Sequence, residues 1–217
     1  YEVEVLGNQY REMTGEEPVV LVGKQATKKA LVELAPRARF LHVATHGWFA
    51  PESVLSQRDS AEQEGERPGL ARAEDTLRGF APETLCGLAL AGANHGVNRY
   101  ARVPGILTAE ELATLDLASC ELAVLSACET NVGLRRAGQG IQSLQGALHA
   151  AGARTAITSL WRVDDAATRR LMELFYSKLW GGGLGKAEAL WQAKMALRGE
   201  GAATGEGAGG VLTGDPR

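Results

Sequence analysis

Four histidines (His42, His46, His95 and His149) and three cysteines (Cys86, Cys120 and Cys128) are the side chains of this sequence suited to pair a base with a strong nucleophile near neutral pH. Their value depends on where the chain carries them. His46 follows the β-rich run RFLHVAT, and Cys128 follows a second such run, ELAVLSA. In open parallel sheets the ligand crevice lies beyond the C-terminal ends of the strands. If these two strands are neighbours, both side chains emerge at one rim. A thiol and an imidazole that meet there form a nucleophile and its base: the imidazole takes the thiol proton and the thiolate attacks a carbonyl. Gly47 lets the backbone turn and offers an unobstructed N–H, which with the amide of Cys128 suits the oxyanion of an acyl transfer. Against this stands the plainer expectation that a strand-end cysteine is packing and a lone histidine a hydrogen-bonded core group. Cys86 and Cys120 read as structural.

Metal chemistry fits poorly. His42 and His46 fall on one face of a strand, and a strand holds positions i and i+4 about 13 Å apart at ~3.3 Å per residue. The cysteines show no C-x-x-C spacing, so no zinc site is expected.

The elements that must position these residues alternate between two periods. Tyr1 to Met13 places Val3, Leu6, Tyr10 and Met13 at helical spacing. Pro18 to Gly23 (PVVLVG) reads as a short buried strand, and Thr27 to Leu34 as a helix stopped by Pro36. Arg39–Thr45, Glu121–Ala127 and Arg154–Ser159 read as strands covered on both faces, with Leu85–Ala91 a weaker fourth. Thr108 to Leu115 opens with a capping box, Thr108 followed by Glu111. Helical stripes cover Gln139–Ala151, Ala166–Trp180 and Lys186–Leu197. Strands alternating with helices predict βαβ units and a parallel sheet.

Composition sets the frame. The chain has 217 residues and a mass of 23.0 kDa, with 45% hydrophobic and 23% charged residues, a net charge of −3 and a pI near 5.9. One α/β domain is expected over residues 1–198, able to bury its own core. Residues 50–84 carry eight acidic and four basic side chains with no aromatic before Phe80, and read as a surface insertion. Residues 199–217 hold seven glycines and read as a flexible tail. The charge gives no attraction to nucleic acid, and no apolar run is long enough to span a membrane. Sparse, odd-numbered cysteines predict a reducing, cytoplasmic setting. The chain opens at Tyr1 without a signal-peptide pattern and reads as a piece of a longer protein.

At the histidine and cysteine blocks the sequence resembles a known family. HVATHGWF and LAVLSACETNVG are similar to the two signature blocks of the CHAT domain, a caspase- and separase-related cysteine peptidase family often joined to TPR repeats. GILTAEEL before the second block, and AGARTAITSLWRVDDAATRRLMELFY and KAEALWQAKMAL after it, match in the same order. The resemblance implies a caspase-like three-layer α/β sandwich with a mostly parallel sheet flanked by helices. It implies His46 as base and Cys128 as nucleophile of a peptidase dyad, with no cofactor or metal, a protein or peptide substrate, and a regulatory TPR or sensor region elsewhere in the full protein.

The chain departs from the family at Gly138-Gln139-Gly140, where members usually carry Gly-Glu-Gly. Glycine geometry rather than charge should shape that loop, so activity is expected to survive. In the related separases an acidic residue in the LW-x-V-x-D stretch recognises a basic side chain before the cut bond. By that analogy Asp165 or Asp164 lines a pocket for Arg or Lys through charge-assisted hydrogen bonds. Either aspartate equally suits a helix N-cap. Arg135-Arg136 reads as solvated loop charge or as a self-processing site. The expected function is a cysteine endopeptidase. Its rivals are a non-catalytic scaffold that binds a partner protein, and an amidase or transpeptidase using the same dyad.

Overall fold

The computed structural model describes residues 1–49, 86–94, 105–128, 144–159, 165–201 and 210–217. The expected insertion at 50–84, His95, the segment after Cys128 with Arg135, Arg136 and Gln139, and Asp164 lie outside the described residues.

A six-stranded sheet forms the centre, in the order β3-β2-β1-β4-β5-β6. The strands are β1 (Phe40–Phe49), β2 (Cys86–Ala89), β3 (Ile106–Thr108), β4 (Leu122–Cys128), β5 (Thr155–Ser159) and β6 (Gly210–Gly214). The three in the middle, β1, β4 and β5, run parallel, and the flanking pairs β1–β2, β2–β3 and β5–β6 are antiparallel. The helices are α1 (Glu2–Thr14), α2 (Lys28–Leu34), α3 (Ala109–Ala113), α4 (residues 144–150), α5 (Asp165–Tyr176) and α6 (Lys186–Gly199).

Helices cover both faces, so the central strands read as the near-continuous apolar runs that two-sided burial requires. On one face Val43, Ala123, Leu125 and Ala156 meet Ala35, Ala109, Leu112, Leu144 and Leu148. On the other, Leu122, Val124 and Ile157 meet Leu6 of α1, Leu171, Met172 and Phe175 of α5, and Leu190, Ala193 and Leu197 of α6. The buried positions of α5 fall at 168, 171, 172, 175 and 176, the stripe expected of a helix lying on a sheet. This is the three-layer α/β sandwich of a caspase-like fold.

Local signals hold where their partners are local. Thr108 caps α3 and Glu111 returns the bond to the Thr108 N–H, completing the capping box. Thr27 caps α2 by accepting from the Ala30 N–H, and a short 3₁₀ turn over Ala35–Arg37 takes Pro36.

Three expectations are corrected. Pro18–Gly23 is not a strand: residues 16–22 run without ladder partners, and Val19 is 72% exposed. The segment instead lies along α1, with Val20 so close over Gly7 that a Cβ there would stand 2.6 Å from it. A high β-propensity makes a strand only where an edge is free to receive it. Second, β1 does not turn at Thr45. It runs on to Phe49 because residues 46–49 pair antiparallel with β2, the weaker fourth strand expected at Leu85–Ala91, whose pairing partner local sequence does not announce. Third, the end of the expected 199–217 tail is ordered. Gly210–Gly214 is the edge strand β6, held by the β5 ladder and by the side-chain bond between His149 Nε2 and Thr213 Oγ1 at 2.8 Å. Gly214 adopts φ +93° where a Cβ would stand 2.1 Å from the Arg154 carbonyl oxygen, so glycine is required there.

Candidate active site

The parallel ladder of β1 and β4 starts at Phe40 opposite Leu122 and closes at His46 opposite Cys128. Adjacent strands lie about 4.8 Å apart, so the two backbone positions are next neighbours at the C-terminal end of the ladder. They belong there for a physical reason. The β1–β4 ladder closes at this point, and β1 runs on in its pairing with β2.

Strand alternation assigns the face. Phe40 and His42 of β1 lie toward α1 and α5, as do Leu122, Val124 and Ser126 of β4. Positions 46 and 128 share that parity. The His46 side chain is exposed, as is Ala44 below it, so the sheet face opens to solvent at the rim. Gly47 is buried and stands opposite Leu88 of β2.

The remaining candidates separate. Asp165 is exposed and opens α5, where an acidic side chain suits the helix N-terminus. Cys86 and Cys120 are buried at 2% and 0% exposure. Burial pushes the Cys120 thiol above its ordinary value, as expected of an inert core cysteine. Among the described residues no cluster of three or more His, Cys, Asp or Glu side chains is arranged to hold a metal.

Sequence reasoning missed a polar cluster beneath the rim. His42 Nε2 lies 2.9 Å from Glu2 Oε1, and His42 Nδ1 lies 3.0 Å from the Tyr176 hydroxyl. The Ser126 hydroxyl donates to Glu2 Oε2 at 3.3 Å. Glu2 and His42 are largely enclosed, at 17% and 13% side-chain exposure. Tyr176 is pushed well above its ordinary value, first by burial and then by the Glu2 carboxylate, and is a neutral hydroxyl. The signal for His42 was its place inside an apolar strand. Nothing in the sequence announced that Glu2, on a helix well outside the motif blocks, would reach it.

A separate cleft lies at the other end of the sheet. It is lined by Tyr10, Arg39, Phe40, Glu121, Trp180 and Lys186 among others, and contains neither His46 nor Cys128. Residues 39, 40 and 121 begin the two strands that His46 and Cys128 lie at the far end of, so this cleft does not serve that pair.

With this geometry in view, comparison with known proteins decides the family. The CHAT domain model matches residues 2–204. The chain belongs to the CHAT domain family. A mouse relative, tetratricopeptide repeat protein 28, is 30% identical to this CHAT domain over 196 residues, or 86% of the chain. The match takes in 8% of that relative's length. The family match stops short of β6, so the ordered unit extends past it. The CHAT domain is related to cysteine peptidases in fold.

Proposed function

We propose that this CHAT domain is a cysteine endopeptidase with His46 as general base and Cys128 as nucleophile. The observation that carries this is the β1–β4 register, which pairs the two residues at the open end of the sheet. The His46 imidazole takes the Cys128 thiol proton, and the thiolate adds to the scissile carbonyl carbon. The Gly47 and Cys128 amides hold the resulting oxyanion. Collapse of this intermediate breaks the C–N bond, and the imidazolium returns its proton to the departing amine. Water, deprotonated by His46, then cleaves the thioester and leaves a free carboxylate. No metal or cofactor enters these steps.

Asp165 or Asp164 selects Arg or Lys before the cut bond by a paired carboxylate–cation contact. The exposed position of Asp165 at the start of α5 supports access by a substrate side chain. The domain acts inside a longer protein whose TPR or sensor region controls it, in a cytoplasmic, reducing setting. The TPR-containing relative and the buried cysteines support that context.

A peptide library analysed by product mass tests this function. Products with a new free carboxylate after Arg or Lys are expected, with turnover lost in Cys128→Ala and His46→Ala and both variants still folded. Cleavage by Cys128→Ala at the parent rate overturns the assignment. Products lacking the free carboxylate point to transpeptidation.

A further inference from the structure

The cluster beneath the rim joins four elements through one carboxylate and one imidazole. Glu2 comes from the first turn of α1, His42 from β1, Ser126 from β4 and Tyr176 from α5. One Glu2 oxygen meets β1 and the other meets β4. No other described side chain bridges these two strands on this face so near the rim. Ser126 stands two residues below Cys128, about 6.6 Å along the strand.

Docking of α1 does not need this arrangement. Leu6 is buried at 4% exposure, Tyr10 packs edge-on to Trp180 with ring centroids 4.9 Å apart, and Gln9 Nε2 donates to the Glu173 carbonyl at 2.9 Å. A largely enclosed carboxylate is a costly way to add adhesion, because its desolvation offsets much of what its partners return. Its distinct property is directional: two oxygens at fixed spacing set two strands at fixed spacing. The strand ends need such a constraint. Above Ser126 the ladder has two pairs left, of which only His46–Cys128 shares this face, and exposed Ala44 provides no packed layer there. On the opposite face the Thr45 hydroxyl donates to the Ala89 carbonyl and clamps β1 to β2; β4 takes a side-chain tie from Glu2, beside the backbone ladder it shares with β1.

We propose that Glu2 is a positioning residue for the His46–Cys128 pair, its carboxylate tying β1 two same-face layers below His46 to β4 one layer below Cys128 and so fixing how the two strand ends sit against each other. This rests on the dyad assignment above and extends it to a residue outside both motif blocks.

The rate of Cys128 alkylation by iodoacetamide, followed by peptide mass spectrometry on the 217-residue chain, reads the pair directly. Cys86 and Cys120 are shielded by burial. Glu2→Ala should slow alkylation about tenfold, the scale on which small misplacements of reacting groups act. Glu2→Gln should restore most of it. The two variants carry the same charge, so their difference reports the side chain's contacts and hydrogen bonds rather than its charge. Gln9→Ala, which loosens the other polar tether of α1, should leave the rate at the parent value. If Glu2→Ala does not fold, Ser126→Ala takes its place and should slow the reaction severalfold. Equal slowing by Glu2→Ala and Gln9→Ala overturns the proposal in favour of simple helix docking. An unchanged rate in Glu2→Ala, or a Glu2→Gln rate as low as that of Glu2→Ala, overturns it too, and the dyad stands if His46→Ala still slows the reaction. A parent rate in His46→Ala removes the dyad itself and this inference with it.

Discussion

Cys128 and His46 are separated by most of the first two-thirds of the chain, yet ladder pairing makes them neighbours. A cysteine and a histidine need little more than such adjacency and an open rim to share a proton. The groups beneath them are less tolerant of change. The Tyr176 hydroxyl is His42's partner at Nδ1, and Tyr176 is 1% exposed. Tyr176→Phe keeps the ring and removes the oxygen, leaving an enclosed imidazole nitrogen without that bond. The expected cost is about 1–3 kcal/mol in urea or guanidinium unfolding; an unchanged midpoint would show that the bond has no energetic weight. The strand-end placement of His46 and Cys128 was legible in the sequence because each follows an apolar β-run, and strand ends are where parallel sheets place ligands. Asp165 was legible as a helix start, and α5 does begin there. Glu2 was not legible. A glutamate in the first turn of a helix has a sufficient explanation in the helix dipole, and its reach to His42 and Ser126 depends on how α1 lies across the sheet.

At the scale of elements, the contrast is between structure set by neighbours in sequence and structure set by neighbours in space. The capping box at Thr108 and Glu111 is local, and it forms as the residue types require. PVVLVG has the composition of a strand but meets no sheet edge, whereas GVLTG, within a glycine-rich stretch, meets the exposed edge of β5 and pairs along it. Edge availability, which no short window of sequence contains, decided both. Strand β6 also satisfies groups deeper in the fold. The Thr155 hydroxyl donates to the Asp215 carbonyl at 2.7 Å, His149 meets Thr213, and Lys186 donates to the carbonyl of Arg217. Deleting residues 210–217 strands these groups and bares β5. The expected loss is at least about 3 kcal/mol, at ~1–3 kcal/mol for each buried partner removed, with a greater tendency to associate through the uncovered edge. Thermal unfolding and light scattering of the truncated chain check both effects; an unshifted Tm would mean that β6 is a passive addition.

The whole molecule gives each part its role. Two apolar layers, one on each side of the sheet, hold β1, β4 and β5 parallel and put their C-terminal ends at a common rim. The α/β class and the three layers followed from the alternation of apolar strands with striped helices. The antiparallel flanks did not: β2 was legible as a strand but its direction was not, and β3 and β6 are short segments with little pattern of their own. The chain belongs to the CHAT family, and its match spans 8% of a relative named for tetratricopeptide repeats. The central claim, that residues 46 and 128 act as one chemical unit, is tested most directly by a thiol-reactive peptidyl probe ending in arginine, applied to the parent chain and to His46→Ala and read by peptide mass spectrometry. A single adduct on Cys128 in the parent, lost or strongly slowed without the imidazole, is the predicted result. Labelling of Cys128 at the same rate in both proteins would contradict it.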